Sequence, residues 1–176
     1  VKGDDGATRA IVFGYACHPI TLSESVFSGD YPGFAQKFIE EAYPGAVAMF
    51  VQGNGGQLVP NSRFEREYAV GHGRALANAV KKAIEKGPVP LNGPLKSAYD
   101  EVTLNFKPIP ESGQLESDLK SEHQPTRERA ALIKEMRARG EKISLTMQCP
   151  IQVVDFGKEL RLFAISGDVG VDYAGA

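Results

Sequence analysis

The sequence has few cysteines, no excess of basic residues and no long hydrophobic run. Its two cysteines, Cys17 and Cys149, are too few for a disulfide framework and lack CxxC spacing, so we expect two buried free thiols. Lys and Arg together number 20 against 22 Asp and Glu, a net charge of −2 at pH 7. No basic surplus is available for phosphates, which argues against nucleic-acid binding. No apolar run approaches the roughly 20 residues that a membrane-spanning helix needs.

The length and composition are typical of one globular domain. A chain of 176 residues can bury a sizeable core, and 42% hydrophobic with 24% charged residues is an ordinary balance. We find neither an internal repeat nor a low-complexity tract. The sequence begins at Val1 rather than at Met and stops shortly after an apolar strand. We therefore expect it to be a fragment of a longer protein.

The first half alternates predicted strands with predicted helices. Near-continuous apolar runs predict strands over about 8–17 and 46–51, a pattern typical of strands buried on both faces. Apolar residues at helical spacing predict helices over about 32–43 and 63–86, with Asp30 as N-cap of the first. Strand, helix, strand and helix in succession predict a right-handed parallel crossover unit.

The second half is predicted to be more extended and more highly charged. A Pro/Gly-rich connector at 87–94 leads to an extended segment at 95–106, and two charged helices near 112–122 and 124–139 form a surface insertion over 112–139. Strands follow at about 143–155 and 159–166, joined by a tight turn near Phe156-Gly157-Lys158-Glu159. The predicted fold class is α/β, with a mixed, largely parallel sheet and flanking helices in a single domain, 1–176.

Three predicted strand ends carry polar groups: His18, the loop 52–57 and Asp168. Pro19 cannot continue a sheet, so the first strand must stop near His18, and strand ends are where open α/β sheets place ligands. A histidine and a carboxylate are ordinary zinc ligands, which makes His18 and Asp168 candidate metal ligands. Backbone N–H groups of Asn54, Gly55 and Gly56 could stabilise an oxyanion.

Each of these signals has a structural alternative. An isolated histidine such as His18 is more often a hydrogen-bonded structural residue, and Asp168 could be a turn or cap residue. The glycine-rich loop could be a tight turn, and it matches neither GxxxxGK[ST] nor GxGxxG, so we predict no nucleotide site. His72 is expected to pack within a helix, and His123 to lie in solvent.

Four ordered stretches resemble the neutral/alkaline non-lysosomal ceramidase family. They are Tyr15-Ala16-Cys17-His18-Pro19, Ser28-Gly29-Asp30-Tyr31-Pro32-Gly33, Gln52-Gly53-Asn54-Gly55-Gly56-Gln57-Leu58-Val59-Pro60-Asn61 and Ser166-Gly167-Asp168. The resemblance implies a fragment of a zinc-dependent amidase domain acting on the N-acyl bond of ceramide, in an extracytoplasmic or membrane-associated setting. It implies that His18 and Asp168 are zinc ligands.

The sequence also departs from the family pattern. The position of the family's catalytically important serine holds Val59, which has no hydroxyl. Gln57 replaces the motif's Asp, and Asp168 replaces a Glu. The family's further zinc-ligating histidine and tyrosine fall outside this chain. The resemblance therefore predicts at most half of a metal site here.

Three hypotheses remain. The first is a diverged zinc-dependent hydrolase that cleaves an amide or ester bond of a small-molecule or lipid-like substrate. The second is a catalytically inactive ceramidase-like domain that serves as a binding or scaffold module; Gln57 and Val59 favour it, whereas His18 and Asp168 favour the enzyme. The third is an unrelated α/β domain with chance motif matches. The sequence does not determine the oligomeric state.

Overall fold

The computed structural model describes residues 1–173, which form two compact units. One unit comprises Val1–Pro90 and the segment that begins at Asp168, and the other comprises Leu91–Gly167. The described residues contain five strands and four helices. In chain order they are β1 (Ala10–Tyr15), α1 (Asp30–Ala42), β2 (Val47–Gln52), α2 (Arg66–Glu85), β3 (Leu95–Asn105), α3 (Ser112–Asp118), α4 (Gln124–Ala138), β4 (Thr146–Phe156) and β5 (Leu160–Ile165), followed by a 3-10 turn, Val171–Tyr173.

The first unit contains the predicted parallel crossover. β1 and β2 pair in parallel, with Ala10 opposite Val47 and Tyr15 opposite Gln52, and α1 connects them. Both strands therefore end at the same edge of the sheet. The segment that contains His18 and the glycine-rich loop both begin at this edge. Apolar side chains of the strands and of both helices form one core, whose buried members are Ile11, Phe13, Ala35, Ile39, Ala46, Ala48 and Ala77.

Helix α2 packs tightly against α1 at Gly73. A Cβ atom at this position would lie 2.5 Å from Phe34 Cβ and 2.8 Å from the Tyr31 carbonyl oxygen. The absent side chain is what permits this spacing, because no larger residue fits without moving α1. His72 beside it lies with Nε2 3.0 Å from the Ser62 carbonyl oxygen, which agrees with a packing role for this histidine.

The prediction that the first two strands are buried on both faces is wrong for the described chain. Ile11 and Phe13 pack against the helices, but Val12 is 52% exposed on the opposite face. On β2, Met49 and Val51 are likewise exposed. Among the described residues, α1 and α2 cover only one face of this two-stranded sheet. The near-continuous apolar sequence of the strands therefore does not correspond to burial on both faces.

The second unit corrects the prediction of a largely parallel sheet. β3 pairs antiparallel with β4 along its whole length, from Leu95 opposite Phe156 to Asn105 opposite Thr146, and β4 pairs antiparallel with β5. Within residues 1–173 a parallel pair is present only in β1–β2. β4 and β5 are antiparallel because a tight turn at Gly157, whose φ is 64°, joins them directly as a hairpin. β3 and β4 are joined instead through α3 and α4.

Helices α3 and α4 form the predicted charged insertion and have a small core of their own. Leu115 of α3 packs with Ala130 and Ile133 of α4, all buried. The remaining faces carry ion pairs such as Lys134 Nζ to Glu116 Oε1 at 2.8 Å. α3 ends at Asp118, earlier than predicted.

The unit boundary at Pro90 falls within the predicted connector at 87–94. The prediction that both units belong to a single domain remains a prediction. Within residues 1–173 no helix combines the length and the apolar composition needed to cross a membrane.

Candidate functional site

His18 lies just beyond the end of β1, not within the strand. β1 ends at Tyr15, and the backbone N–H of His18 donates to the Leu58 carbonyl oxygen at 2.9 Å. That bond ties His18 to the segment that follows the glycine-rich loop. The side chain is 31% exposed, so its imidazole is held by the backbone yet accessible to a ligand.

The structure brings His18 and Asp168 together although 150 positions separate them in the sequence. His18 Nε2 lies 3.3 Å from Asp168 Oδ2 and also 3.3 Å from the Gly56 carbonyl oxygen. The same nitrogen therefore faces two oxygen atoms. As a protonated nitrogen it can donate a hydrogen bond to either; as an unprotonated nitrogen it can bind a metal.

The glycines of the predicted oxyanion loop are required by close packing of the backbone. A Cβ atom at Gly55 would lie 2.9 Å from the Cys17 backbone nitrogen, and one at Gly56 would lie 2.8 Å from the Val169 carbonyl oxygen. The N–H of Gly56 donates to that same oxygen at 3.2 Å. Because this N–H already has an acceptor, Gly56 is not free to hold an oxyanion in this arrangement.

Asn54 is also engaged by the segment that follows Asp168. Its side-chain amide Nδ2 donates to the Gly170 carbonyl oxygen at 3.4 Å, and the residue is partly exposed. An amide nitrogen carries two hydrogens, so Asn54 retains one donor for a ligand. The sequence predicts backbone N–H groups of Asn54, Gly55 and Gly56 as oxyanion donors, and the side-chain amide of Asn54 is a further donor outside that prediction.

Asp30 is a buried residue whose role the sequence did not reveal. The prediction that it is the N-cap of α1 is wrong: Asp30 is the first residue of the helix, and Gly29 before it occupies the N-cap position. Asp30 has a φ of 51°, a left-handed conformation that aspartate tolerates better than most residues. Its Oδ2 accepts from the Leu22 N–H at 2.8 Å and its Oδ1 from the Tyr31 N–H at 2.6 Å.

Tyr31 connects α1 to the backbone beside His18. Its hydroxyl donates to the Cys17 carbonyl oxygen at 2.6 Å, and the same oxygen accepts from Gln52 Nε2 at 3.2 Å. Tyr31 is 3% exposed, and burial raises the pKa of its phenol well above the ordinary range. The sequence contains a recognisable motif around Asp30 and Tyr31. No residue spacing predicts, however, that the Tyr31 hydroxyl donates to the carbonyl oxygen of Cys17.

Cys17 is a buried thiol, as predicted. It is 8% exposed, and burial, followed by the nearby Asp30 charge, raises its pKa above the usual value for a thiol. A raised pKa keeps the sulfur protonated near neutral pH, and a thiol is a much weaker nucleophile than a thiolate. Cys17 is therefore not an activated nucleophile despite its position beside His18.

A cleft of about 420 Å³ opens beside His18. Its lining is mostly apolar, with two glutamine side chains whose amides already donate to backbone carbonyls. This volume is in the range of small-molecule sites. The lining residues are His18, Pro19, Gly29, Pro32, Gln36, Phe50 and Gln52.

The donors present fit part of a zinc site. The imidazole nitrogen of His18 and the carboxylate of Asp168 are both zinc-binding groups, and they face each other. Among residues 1–173 no three His, Cys, Asp or Glu side chains gather as a metal site would require. The described residues therefore supply two donors, whereas a catalytic zinc usually has three protein ligands.

Comparison with known proteins supports the fold only. No protein-family model matches the sequence, and no curated protein matches it either. Among solved structures, the chain is similar to neutral ceramidase from Pseudomonas aeruginosa, with a TM-score of 0.61 and 16% sequence identity. The match covers 92% of this chain but 32% of the ceramidase chain. The chain thus has the fold of a part of that enzyme, about a third of its length.

Proposed function

We propose that this chain is the part of a metal-dependent amide or ester hydrolase that provides two metal ligands, His18 and Asp168. The observation that carries the proposal is the 3.3 Å separation between His18 Nε2 and Asp168 Oδ2. Zinc binds nitrogen and oxygen ligands at about 2.0–2.2 Å in tetrahedral geometry, so two ligands of one zinc lie about 3.3–3.5 Å apart. The pair already has that separation.

The protein's own contribution is to hold these two donors against each other. The Leu58 carbonyl oxygen fixes the backbone of His18, and the loop 53–57 fixes the segment after Asp168. At least one further protein ligand would come from outside the described residues. A zinc held there supplies Lewis acidity and lowers the pKa of water, the chemistry that hydrolysis of an amide or ester needs.

The cleft beside His18 supports a substrate with an apolar substituent next to the scissile bond. Pro19, Pro32 and Phe50 contribute apolar surface there, and Gln36 and Gln52 contribute amide oxygens. Asn54 would offer its remaining amide hydrogen to the developing oxyanion. This arrangement fits an acylated small molecule or lipid better than a highly charged substrate.

A second candidate function is a non-catalytic binding module with the same fold. Two observations favour it. Val59 stands where the resemblance places a catalytic serine, and the Gly56 N–H is occupied by Val169. In this alternative the His18–Asp168 contact is a structural hydrogen bond.

Zinc binding distinguishes these two functions. We would titrate zinc into this chain by calorimetry and repeat the titration with His18→Ala and Asp168→Ala. The hydrolase proposal predicts one zinc per chain, with affinity lowered at least tenfold, on the order of 1.4 kcal/mol, by either variant. The same measurement on a longer polypeptide containing this chain is expected to show tighter binding, because further ligands are then present.

Matched controls are available for both ligands. His123 is exposed and hydrogen-bonds Thr126 within the other unit, and Asp4 is exposed in the segment before β1, so His123→Ala and Asp4→Ala are expected to leave zinc binding unchanged. Zinc binding that His18→Ala does not alter, in either polypeptide, would contradict the proposal and favour the binding module. Stoichiometric binding that depends on both ligands would justify a screen of amide and ester substrates.

A further inference from the structure

The segment after Asp168 is held by a set of hydrogen bonds to the loop that contains Gln57. Gln57 Oε1 accepts from the Val171 N–H at 2.8 Å, and Gln57 Nε2 donates to Asp172 Oδ2 at 3.3 Å. A single side chain thus contacts both a backbone donor and a side-chain acceptor of the 3-10 turn. Two more bonds join the same segments, from the Gly56 N–H to Val169 and from Asn54 to Gly170.

The packing at this contact has no spare room. A Cβ atom at Gly170 would lie 2.8 Å from Gln57 Nε2 and 3.0 Å from its Oε1. The Gln57 side chain therefore lies directly against the backbone of Gly170. Asp168, two residues earlier, has a 64% exposed side chain, and His18 is the cationic or donor group that the structure pairs with it.

We propose that Gln57 is a positioning residue that holds the Asp168 carboxylate opposite His18. The chemistry requires an amide at this position. An acceptor is needed for the Val171 N–H and a donor for the Asp172 carboxylate, and the uncharged Gln57 amide supplies them on two separate atoms, Oε1 and Nε2. A carboxylate at position 57 would keep the first bond and place a negative charge against Asp172.

This inference rests on the proposed role of His18 and Asp168, but its first readouts do not require zinc. In the metal-free chain, nuclear Overhauser contacts between the His18 ring and the Asp168 Hβ protons report whether the two side chains face each other. Amide exchange of Val171 reports the bond to Gln57. With Gln57→Ala we expect the His18–Asp168 contact to be lost and Val171 exchange to be about fivefold faster, as for loss of a typical hydrogen bond.

A rescue variant separates positioning from a general loss of stability. Gln57→Glu alone is expected to weaken the contact, because two carboxylates then face each other. Combining Gln57→Glu with Asp172→Asn exchanges the donor and acceptor ends of the bond, and we expect the His18–Asp168 contact to return. Gln114→Ala serves as the matched control, since it removes a glutamine bond to Asp118 in the other unit and should leave both readouts unchanged.

The outcomes distinguish this inference from the proposed function. An intact His18–Asp168 contact in Gln57→Ala overturns the positioning role, as does a double variant that behaves no better than Gln57→Glu. Titration with zinc alone connects the positioning of Asp168 to metal binding. A zinc affinity that is lowered in Gln57→Ala and recovered in the double variant supports the view that Gln57 positions Asp168 as a zinc ligand. If the His18–Asp168 contact depends on Gln57 but the chain binds no zinc, the positioning role is supported and the metal-site proposal is overturned.

Discussion

At the scale of residues, the candidate site depends on a few buried polar groups that secure the end of β1. Asp30 and Tyr31 begin α1, and their side chains bind backbone groups of the preceding loop and of Cys17. Both residues are almost fully buried. Polar groups persist in such surroundings only when they are hydrogen-bonded, and these bonds keep His18 close to the helix.

Replacing Tyr31 by phenylalanine is expected to reduce stability modestly at neutral pH. The variant loses the hydroxyl bond to the Cys17 carbonyl oxygen, but that oxygen keeps its bond from Gln52. We therefore expect Tyr31→Phe to lower the free energy of unfolding by about 1 kcal/mol, the net value of one hydrogen bond. Urea denaturation at pH 8 measures this difference.

The same variant tests the pKa of Tyr31 in alkaline solution. Burial raises that pKa in the folded chain, whereas an unfolded tyrosine titrates near pH 10. Above about pH 10 the unfolded state loses the proton while the folded state keeps it, so stability falls by up to about 1.4 kcal/mol per pH unit. The Tyr31→Phe variant lacks this loss, so its deficit should shrink or reverse between pH 8 and pH 11. A deficit that stays constant would contradict a raised pKa.

At the scale of elements, the close crossing of α1 and α2 determines where the helical layer lies on β1–β2. Gly73 is buried against the Tyr31 carbonyl and Phe34, and Gly71 on the same helix faces open space. The sequence shows two glycines in one helix and does not distinguish them. Only the packing of α1 against α2 does so.

Substitution of the two glycines by alanine is expected to have opposite effects. In an exposed helix position, Gly→Ala raises stability by about 0.5–1 kcal/mol, and we expect this for Gly71→Ala. At Gly73 the added methyl would collide with α1 backbone and with Phe34, and overpacking of this kind costs about 1–3 kcal/mol. Thermal or urea unfolding of both variants measures the difference, and equal effects would show that the helices do not cross at Gly73.

At the scale of the whole molecule, each unit contains a sheet with exposed apolar side chains. In the unit that contains the candidate site, β1–β2 buries one face under α1 and α2, and the other face carries Val12, Val47, Met49 and Val51, each more than 40% exposed. In the second unit, β3 is exposed throughout. The ceramidase that shares this fold is longer, and this chain matches 32% of it.

Adjacent residues of β1 are expected to differ sharply in their contribution to stability. Phe13 is 8% exposed and packs edge-on against Phe50, so Phe13→Ala should cost about 3–5 kcal/mol. Val12 is half exposed, so Val12→Ala should cost under about 1 kcal/mol in this chain. Urea unfolding of both variants checks this. A large cost at Val12 would mean that the second face is covered in solution.

Local patterns in the sequence determined most of the elements and the first crossover. Hydrophobic periodicity identified both long helices, and near-continuous apolar runs identified the strands of the first unit, because both patterns are properties of the local sequence. The predicted tight turn near Gly157 is consistent with the antiparallel β4–β5 pair, but the sequence did not determine the antiparallel pairing of β3 with β4. The apolar runs also did not show which face of each strand is buried: on β1, Ile11 and Phe13 are buried but Val12 is exposed.

The sequence by itself identified His18 and Asp168 as polar residues that follow apolar strands, and it identified the glycine-rich loop between them. Only the tertiary structure placed His18 Nε2 3.3 Å from Asp168 Oδ2 and gave the Gly56 N–H an acceptor. Strand propensity and turn chemistry act between neighbouring residues. The approach of residues 18, 57 and 168 instead depends on which segments pack at the edge of β1–β2, and that packing joins segments that are far apart in the sequence.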